Sequence, residues 1–171
     1  MQETITHTIA KKTELTKCPS GIQGLDEITF GGLPQGRPTL ICGNAGCGKT
    51  LLSMEFIVNG ARMYNEPGVY VSFEEKSEEL ITNFNSLGFG LNDLIEKKKV
   101  ALEYIYIERS EIEETGEYDL DGLFLLIGNA IDSIGAKRIV LDTVEALFSG
   151  FSNEAILRAE LRRMFRFLKD R

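Results

Sequence analysis

The sequence is short of the residues that build metal and redox centres. It has three cysteines, Cys18, Cys42 and Cys47, and one histidine, His7. The cysteines are odd in number and lack C-x-x-C spacing, which argues against a structural zinc site. Cys42 falls in an apolar run read as a buried strand, and Cys47 in a glycine-rich loop. Both read as small residues kept reduced. A redox effect at Cys47 would need an environment that favours the thiolate. His7 lies in a polar arm and reads as solvated. Cations are scarce too: 19 Lys and Arg face 26 Asp and Glu, for a net charge of −7. Phosphate contacts dominate affinity for nucleic acid, so DNA is a poor electrostatic partner. No apolar run reaches the length of a membrane span. Met1 to Lys17 is Thr-rich and lacks the apolar region of a secretion signal. The expectation is a cytoplasmic protein without a transmembrane helix.

What is present is a soluble globular balance, 43% hydrophobic and 26% charged, in 171 residues. That is enough for one domain with a substantial core. The chain is organised around Gly43-Asn44-Ala45-Gly46-Cys47-Gly48-Lys49-Thr50. This is the G-x-x-x-x-G-K-[ST] phosphate-binding loop, with an apolar run, Thr39 to Cys42, before it and a helical pattern from Leu51 after it. Glycines let the backbone curl so that successive N–H groups face an anion. The helix start adds its positive dipole end. Lys49 would reach the β- and γ-phosphates of a nucleotide, and the Thr50 hydroxyl would ligate Mg²⁺.

Taken in order, residues 1–17 read as a flexible arm and residues 18–171 as one domain. Ser20 is expected to cap a short helix over Ile22 to Ile28, and Gly31-Gly32-Leu33-Pro34 to make a tight turn. Pro38 to Cys42 is expected to be a strand. A buried helix follows to about Tyr64, then a strand, Val69 to Phe73. Ser77 is expected to cap the next helix, which Gly88 ends. Asn92 to Lys98 reads as a short helix, Val100 to Ile107 as a strand, and Glu108 to Asp121 as an acidic surface loop. A helix, Leu120 to Ile134, leads to the strand Lys137 to Asp142. Ser152 or Asn153 would cap a last helix. It carries an apolar stripe (Leu157, Leu161, Met164, Phe165, Leu168) and a basic one (Arg158, Arg162, Arg166). The basic stripe is a solvated face, a subunit interface or an anion contact. Strands alternating with helices predict an α/β fold with a mostly parallel sheet, which binds ligands beyond the carboxyl ends of its strands.

Three groups converge on that edge. Besides the loop, Asp142 ends a strand and would orient Mg²⁺ opposite Thr50. Glu74 and Glu75 follow Phe73, and a carboxylate there could take a proton from a water in line with the γ-phosphate. Which of the two does so is open. Glu145 reads as ordinary turn polarity.

These residues carry a resemblance to the KaiC family of RecA-like ATPases. Ser20 to Asp26, Gly31 to Gly36, the phosphate loop, Glu66 to Val69, Phe73-Glu74-Glu75 and Ser86 to Phe89 are similar to that family's first ATPase domain in order and spacing. Tyr118 to Leu120, Val140 to Asp142 and Arg158 to Arg163 continue the match. The resemblance implies a RecA-like P-loop NTPase fold, and ATP and Mg²⁺ bound between subunits of a six-membered homo-oligomeric ring. It implies Glu74 and Glu75 as the catalytic carboxylates, nucleotide contacts from the loop through Leu51, and Ser86 near the base or ribose. It places a KaiB-like partner near Glu111 to Tyr118. Autophosphorylation belongs to the family's second domain and does not transfer. Family members continue into further strands beyond the last helix, so the chain reads as C-terminally incomplete. Two other readings share the loop and Asp142: a RecA/RadA-type recombinase, which needs basic DNA-binding loops, and a nucleotide-gated scaffold with negligible turnover.

Overall fold

The computed structural model describes residues 15–106, 120–148 and 154–171. Its centre is a parallel sheet of three strands: β3 (Gly68–Ser72), β4 (Val100–Tyr104) and β5 (Arg138–Asp142), in the order β4-β3-β5. β3 lies in the middle and is buried along its whole length. Its run Gly-Val-Tyr-Val-Ser has the unbroken apolar character of a strand covered on both faces. Ser72 pairs with Tyr104 on one side and Asp142 on the other, so the three strands end level. That register puts the segments after β3 and β5 side by side.

Side chains of β3 alternate between two cores. Val69 and Val71 face α5 (Asp121–Ile134), meeting Leu123, Phe124, Ile127 and Ile131, with Met164 from α7 (Glu154–Lys169). Tyr70 faces the other way, into Met54, Ile57 and Val58 of α2 (Lys49–Met63) and Leu80 and Phe84 of α3 (Ser77–Ser86). Leu91 and Leu94 of α4 (Leu91–Glu96) complete that side. The α/β class and the parallel sheet flanked by helices thus stand as read. In α7 Leu157, Leu161, Met164 and Leu168 pack as expected, Phe167 rather than Phe165 joins them in the core, and Arg158, Arg162 and Arg166 are exposed. Among the described residues no helix is long and apolar enough to cross a membrane.

Several local expectations fail. Pro38 to Cys42 forms no strand, and Leu40 is 77% exposed. A strand exists only against a neighbour, and neither β4 nor β5 takes this segment as one. Cys42 is therefore exposed, not buried. In place of a simple turn, Leu33–Pro34 forms a two-residue strand, β2, antiparallel to β1 (Lys17–Cys18). Helix α1 is only Leu25–Ile28, and Ser20 does not cap it. Instead Asp26 draws three donors onto itself: the Ser20 hydroxyl at 2.7 Å, and the N–H groups of Ser20 and Gly21, each at 2.8 Å. Ser77 is the first residue of α3, not its cap. At the other end Gly88, at φ 84°, ends α3 as expected. Gly88 N–H donates to Asn85 O and Phe89 N–H to Phe84 O, the paired bonds of a left-handed helix terminus. A short helix, α6 (Val144–Phe148), follows β5 where a turn was expected. The candidate caps Ser152 and Asn153, and most of the acidic stretch Glu108 to Asp121, lie outside the described residues.

One buried cation ties α2 to β5. Arg138, at the start of β5, is 3% exposed. Its Nε donates to Glu66 Oε2 at 2.8 Å and its Nη1 to Phe56 O at 3.1 Å. Nη2 lies 2.7 Å from Glu66 Oε2, close enough for an ion pair but off the hydrogen-bond direction. The guanidinium also lies over the rings of Phe56 and Tyr64, at 4.6 and 5.2 Å from their centroids. Gly60 makes room for it: a Cβ there would sit 2.4 Å from Arg138 Cδ.

Candidate functional site

The loop that joins Cys42 to α2 is exposed from Gly43 through Gly48. Gly46 and Gly48 have φ of 77° and 90°, a conformation that side chains resist. Gly48 occupies the N-cap of α2, so the helix dipole opens onto the loop. The loop also closes on itself: Cys47 N–H donates to Asn44 O at 3.2 Å. The Cys47 thiol packs directly over Gly43, where a Cβ would be 2.4 Å from Sγ. Lys49 curls back, its Nζ donating to Gly43 O at 2.8 Å and Asn44 O at 3.1 Å. An ammonium on two loop carbonyls stands where it could transfer to phosphate oxygens. Ala45 lies at the loop's apex, and Leu51 begins the exposed face of the helix.

Thr50, in the first turn of α2, meets Asp142, the last residue of β5. The Thr50 hydroxyl donates to Asp142 Oδ2 at 2.8 Å. These residues are 92 positions apart, and the fold brings them together as their motifs require. A hydroxyl and a carboxylate are hard oxygen donors, which suit Mg²⁺. Two such donors are too few to hold the ion alone. The remaining ligands would be phosphate oxygens and water, the usual arrangement when Mg²⁺ accompanies a nucleotide.

The carboxylates after β3 lie beside this pair. Glu74 Oε1 accepts from the Thr143 hydroxyl at 3.1 Å, which links it to the residue after Asp142. Glu75 is held through its backbone, its N–H donating to the Ser72 hydroxyl at 3.0 Å. Ser86 is placed differently. It ends α3, with its hydroxyl on Asn83 O, and no hydrogen bond links it to the loop among the described residues. Glu145 is exposed in the first turn of α6.

Two side chains of the site escaped the sequence reading. Thr143 is one. The other is Tyr70, fully buried, whose hydroxyl donates to Asp142 Oδ2 at 2.6 Å. Burial and then the bond to Asp142 push the Tyr70 phenol far above its ordinary pKa, so it stays a proton donor. A signal did exist. A tyrosine inside a wholly buried strand must find a partner for its hydroxyl, and the strand beside it ends in a carboxylate.

The ordering of loop, threonine and terminal carboxylate agrees with an independent comparison. A family model described as the KaiC ATPase matches residues 18–171. The chain belongs to the KaiC ATPase family. Over 162 residues it is 62% identical to the circadian clock protein KaiC2 of Synechocystis sp., covering 95% of this chain and 28% of that protein. It is 38% identical over 163 residues to the circadian clock oscillator protein KaiC of Thermostichus vulcanus, covering 95% of this chain and 32% of that one. A Prochlorococcus marinus KaiC is 36% identical over 156 residues, covering 91% and 31%. The chain therefore spans less than a third of the length of these KaiC relatives. Membership also settles the fold as the RecA-like P-loop type of this nucleotide-binding ATPase family.

Proposed function

We propose that this chain binds Mg-ATP at the phosphate loop and hydrolyses it by in-line attack of water. The observation that supports this best is the meeting of Thr50 and Asp142 at the mouth of the loop. In this reading Gly43 to Gly48 cradle the phosphates with backbone N–H groups, and Lys49 leaves its two carbonyls for the phosphate oxygens. Thr50 and Asp142 hold the metal side. Mg²⁺, when bound, neutralises charge on the β- and γ-phosphate oxygens. Glu74, braced by Thr143, and Glu75 position the attacking water and take its proton. Leu51 contributes to the nucleotide's surroundings, and Ser86 lies near its base or ribose.

The remaining proposals follow from the family. The domain works as one unit of a homo-oligomeric ring, a hexamer, with ATP between subunits. Its turnover drives ring assembly and binding of a KaiB-like partner near Glu111 to Tyr118. Since the relatives are named circadian clock proteins, a slow timing role is the natural biological setting.

The test is nucleotide binding and phosphate release by the chain and two variants. Lys49→Ala is expected to abolish binding. Glu74→Gln with Glu75→Gln should retain binding and slow turnover by at least a hundredfold, within the range of general-base effects. Undiminished turnover in the double variant sinks the carboxylate assignment. Binding without turnover in the unaltered chain would favour a nucleotide-gated scaffold.

A further inference from the structure

We propose that Tyr70 is a positioning residue for the metal side of the site, holding the Asp142 carboxylate in the orientation that lets it serve Mg²⁺. The inference rests on the reading of Thr50 and Asp142 given above and adds a residue that the phosphate-loop signature does not contain.

The geometry carries it. Tyr70 sits in the middle of the central strand, paired with Val140 of β5, two residues short of Asp142. From there the ring reaches along the sheet toward its carboxyl edge. Met54, Ile57 and Leu80 pack the same core. A phenylalanine would fill the ring's volume, so packing alone does not account for the hydroxyl. Burying a hydroxyl costs free energy unless it is bonded, and this one is bonded to Asp142.

Asp142 Oδ2 thereby accepts two O–H groups, Tyr70 at 2.6 Å and Thr50 at 2.8 Å. The two donors differ in kind. Thr50 is exchangeable, because its oxygen is the atom offered to the metal. Tyr70 is rigid, because its ring is locked in the core and has only two side-chain torsions. When Thr50 turns its oxygen to the ion, Tyr70 still fixes the plane of the carboxylate. Partners of this kind, which orient a group that serves a metal, typically change metal affinity by about 10–100-fold when removed.

The experiment measures binding of a fluorescent ATP analogue as a function of Mg²⁺, with an EDTA series as the metal-free reference. Tyr70→Phe keeps the ring and removes the hydroxyl. Its metal-free affinity should match that of the unaltered chain within about twofold, while the Mg²⁺ needed for half-maximal enhancement rises about tenfold. In an Asp142→Asn background the Tyr70→Phe change should have no further effect on Mg²⁺. Unchanged Mg²⁺ dependence in Tyr70→Phe overturns the proposal. So does an equal effect in both backgrounds, which would mean that packing carries it. Should the variant fold poorly, the unaltered chain still decides by NMR. The Tyr70 hydroxyl proton should exchange slowly with water and shift with Mg²⁺ and nucleotide together, but not with nucleotide alone; an unmoved signal refutes the idea. A chain that binds no nucleotide at all refutes the phosphate-loop reading itself, and Lys49→Ala supplies that baseline.

Discussion

Replacing Gly60 by alanine tests the clamp that holds α2 to β5. In an ordinary helix interior this change stabilises by about 1 kcal/mol, because glycine carries more backbone entropy into the unfolded state. Here the new methyl would lie 2.4 Å from Arg138 Cδ, 2.5 Å from Nε and 2.9 Å from Cζ. The guanidinium cannot swing away cheaply. It is almost wholly buried, covered by two aromatic rings and bonded to Glu66 and Phe56 O. Overpacking costs about 1–3 kcal/mol. Breaking a fully buried ion pair costs about 3–5 kcal/mol. The Glu66 side chain is 34% exposed, so water recovers part of that. Set against the propensity gain, the clash wins, and Gly60→Ala should destabilise by about 2 kcal/mol, with a melting temperature lower by about 4–8 °C. The assay is urea unfolding followed by circular dichroism. The decisive control is the same change in an Arg138→Ala background, where the space is open and Gly60→Ala should stabilise. If Gly60→Ala raises the unfolding midpoint with Arg138 present, the clamp is not what limits this position.

Two further outcomes follow from the cysteines and from Asp26. Cys42 and Cys47 are exposed, whereas Cys18 is half-buried and burial pushes its thiol up, despite the opposing pull of Arg138. Iodoacetamide followed by mass spectrometry should therefore modify Cys42 and Cys47 well before Cys18, and bound nucleotide should protect Cys47; equal rates at all three would contradict the exposure pattern. Asp26 is raised by partial burial, but the bonds from Ser20 and Gly21 outweigh it and leave its carboxyl below the ordinary value. A carboxylate lowered on folding contributes stability above its unfolded pKa, which is lost as pH falls through the lowered folded value. Asp26→Asn should cost about 1 kcal/mol at neutral pH and nothing extra once Asp26 would be protonated, a difference that unfolding at pH 7 and at acid pH would reveal.

The elements that could be read were those whose signals are local. α2 follows from the loop and an apolar pattern, and β3 and β5 from short β-rich runs between turns. Gly88 could be placed because only glycine takes a left-handed helix end easily. Pro38 to Cys42 carries the same kind of signal as β3, yet it forms no strand. A strand is a relation between two segments, and composition describes only one. Ser20 and Ser77 failed as caps for a similar reason. Their hydroxyls have other calls on them, Asp26 for the first and Leu102 O for the second.

The candidate site divides the same way. The residue order alone determined that a phosphate loop, a strand-ending Asp142 and the pair Glu74-Glu75 exist, since each is a contiguous pattern with its own chemistry. It determined the family as well, because several such patterns occur in one order. Only the tertiary structure decided that Thr50 and Asp142 share a hydrogen bond, that Thr143 braces Glu74, and that Tyr70 reaches Asp142 from inside the core. Those facts depend on the level register of β3 and β5 and on the Arg138 clamp that sets α2 against them. Register and clamp are distances between segments far apart in the chain, and no local pattern of residues encodes a distance.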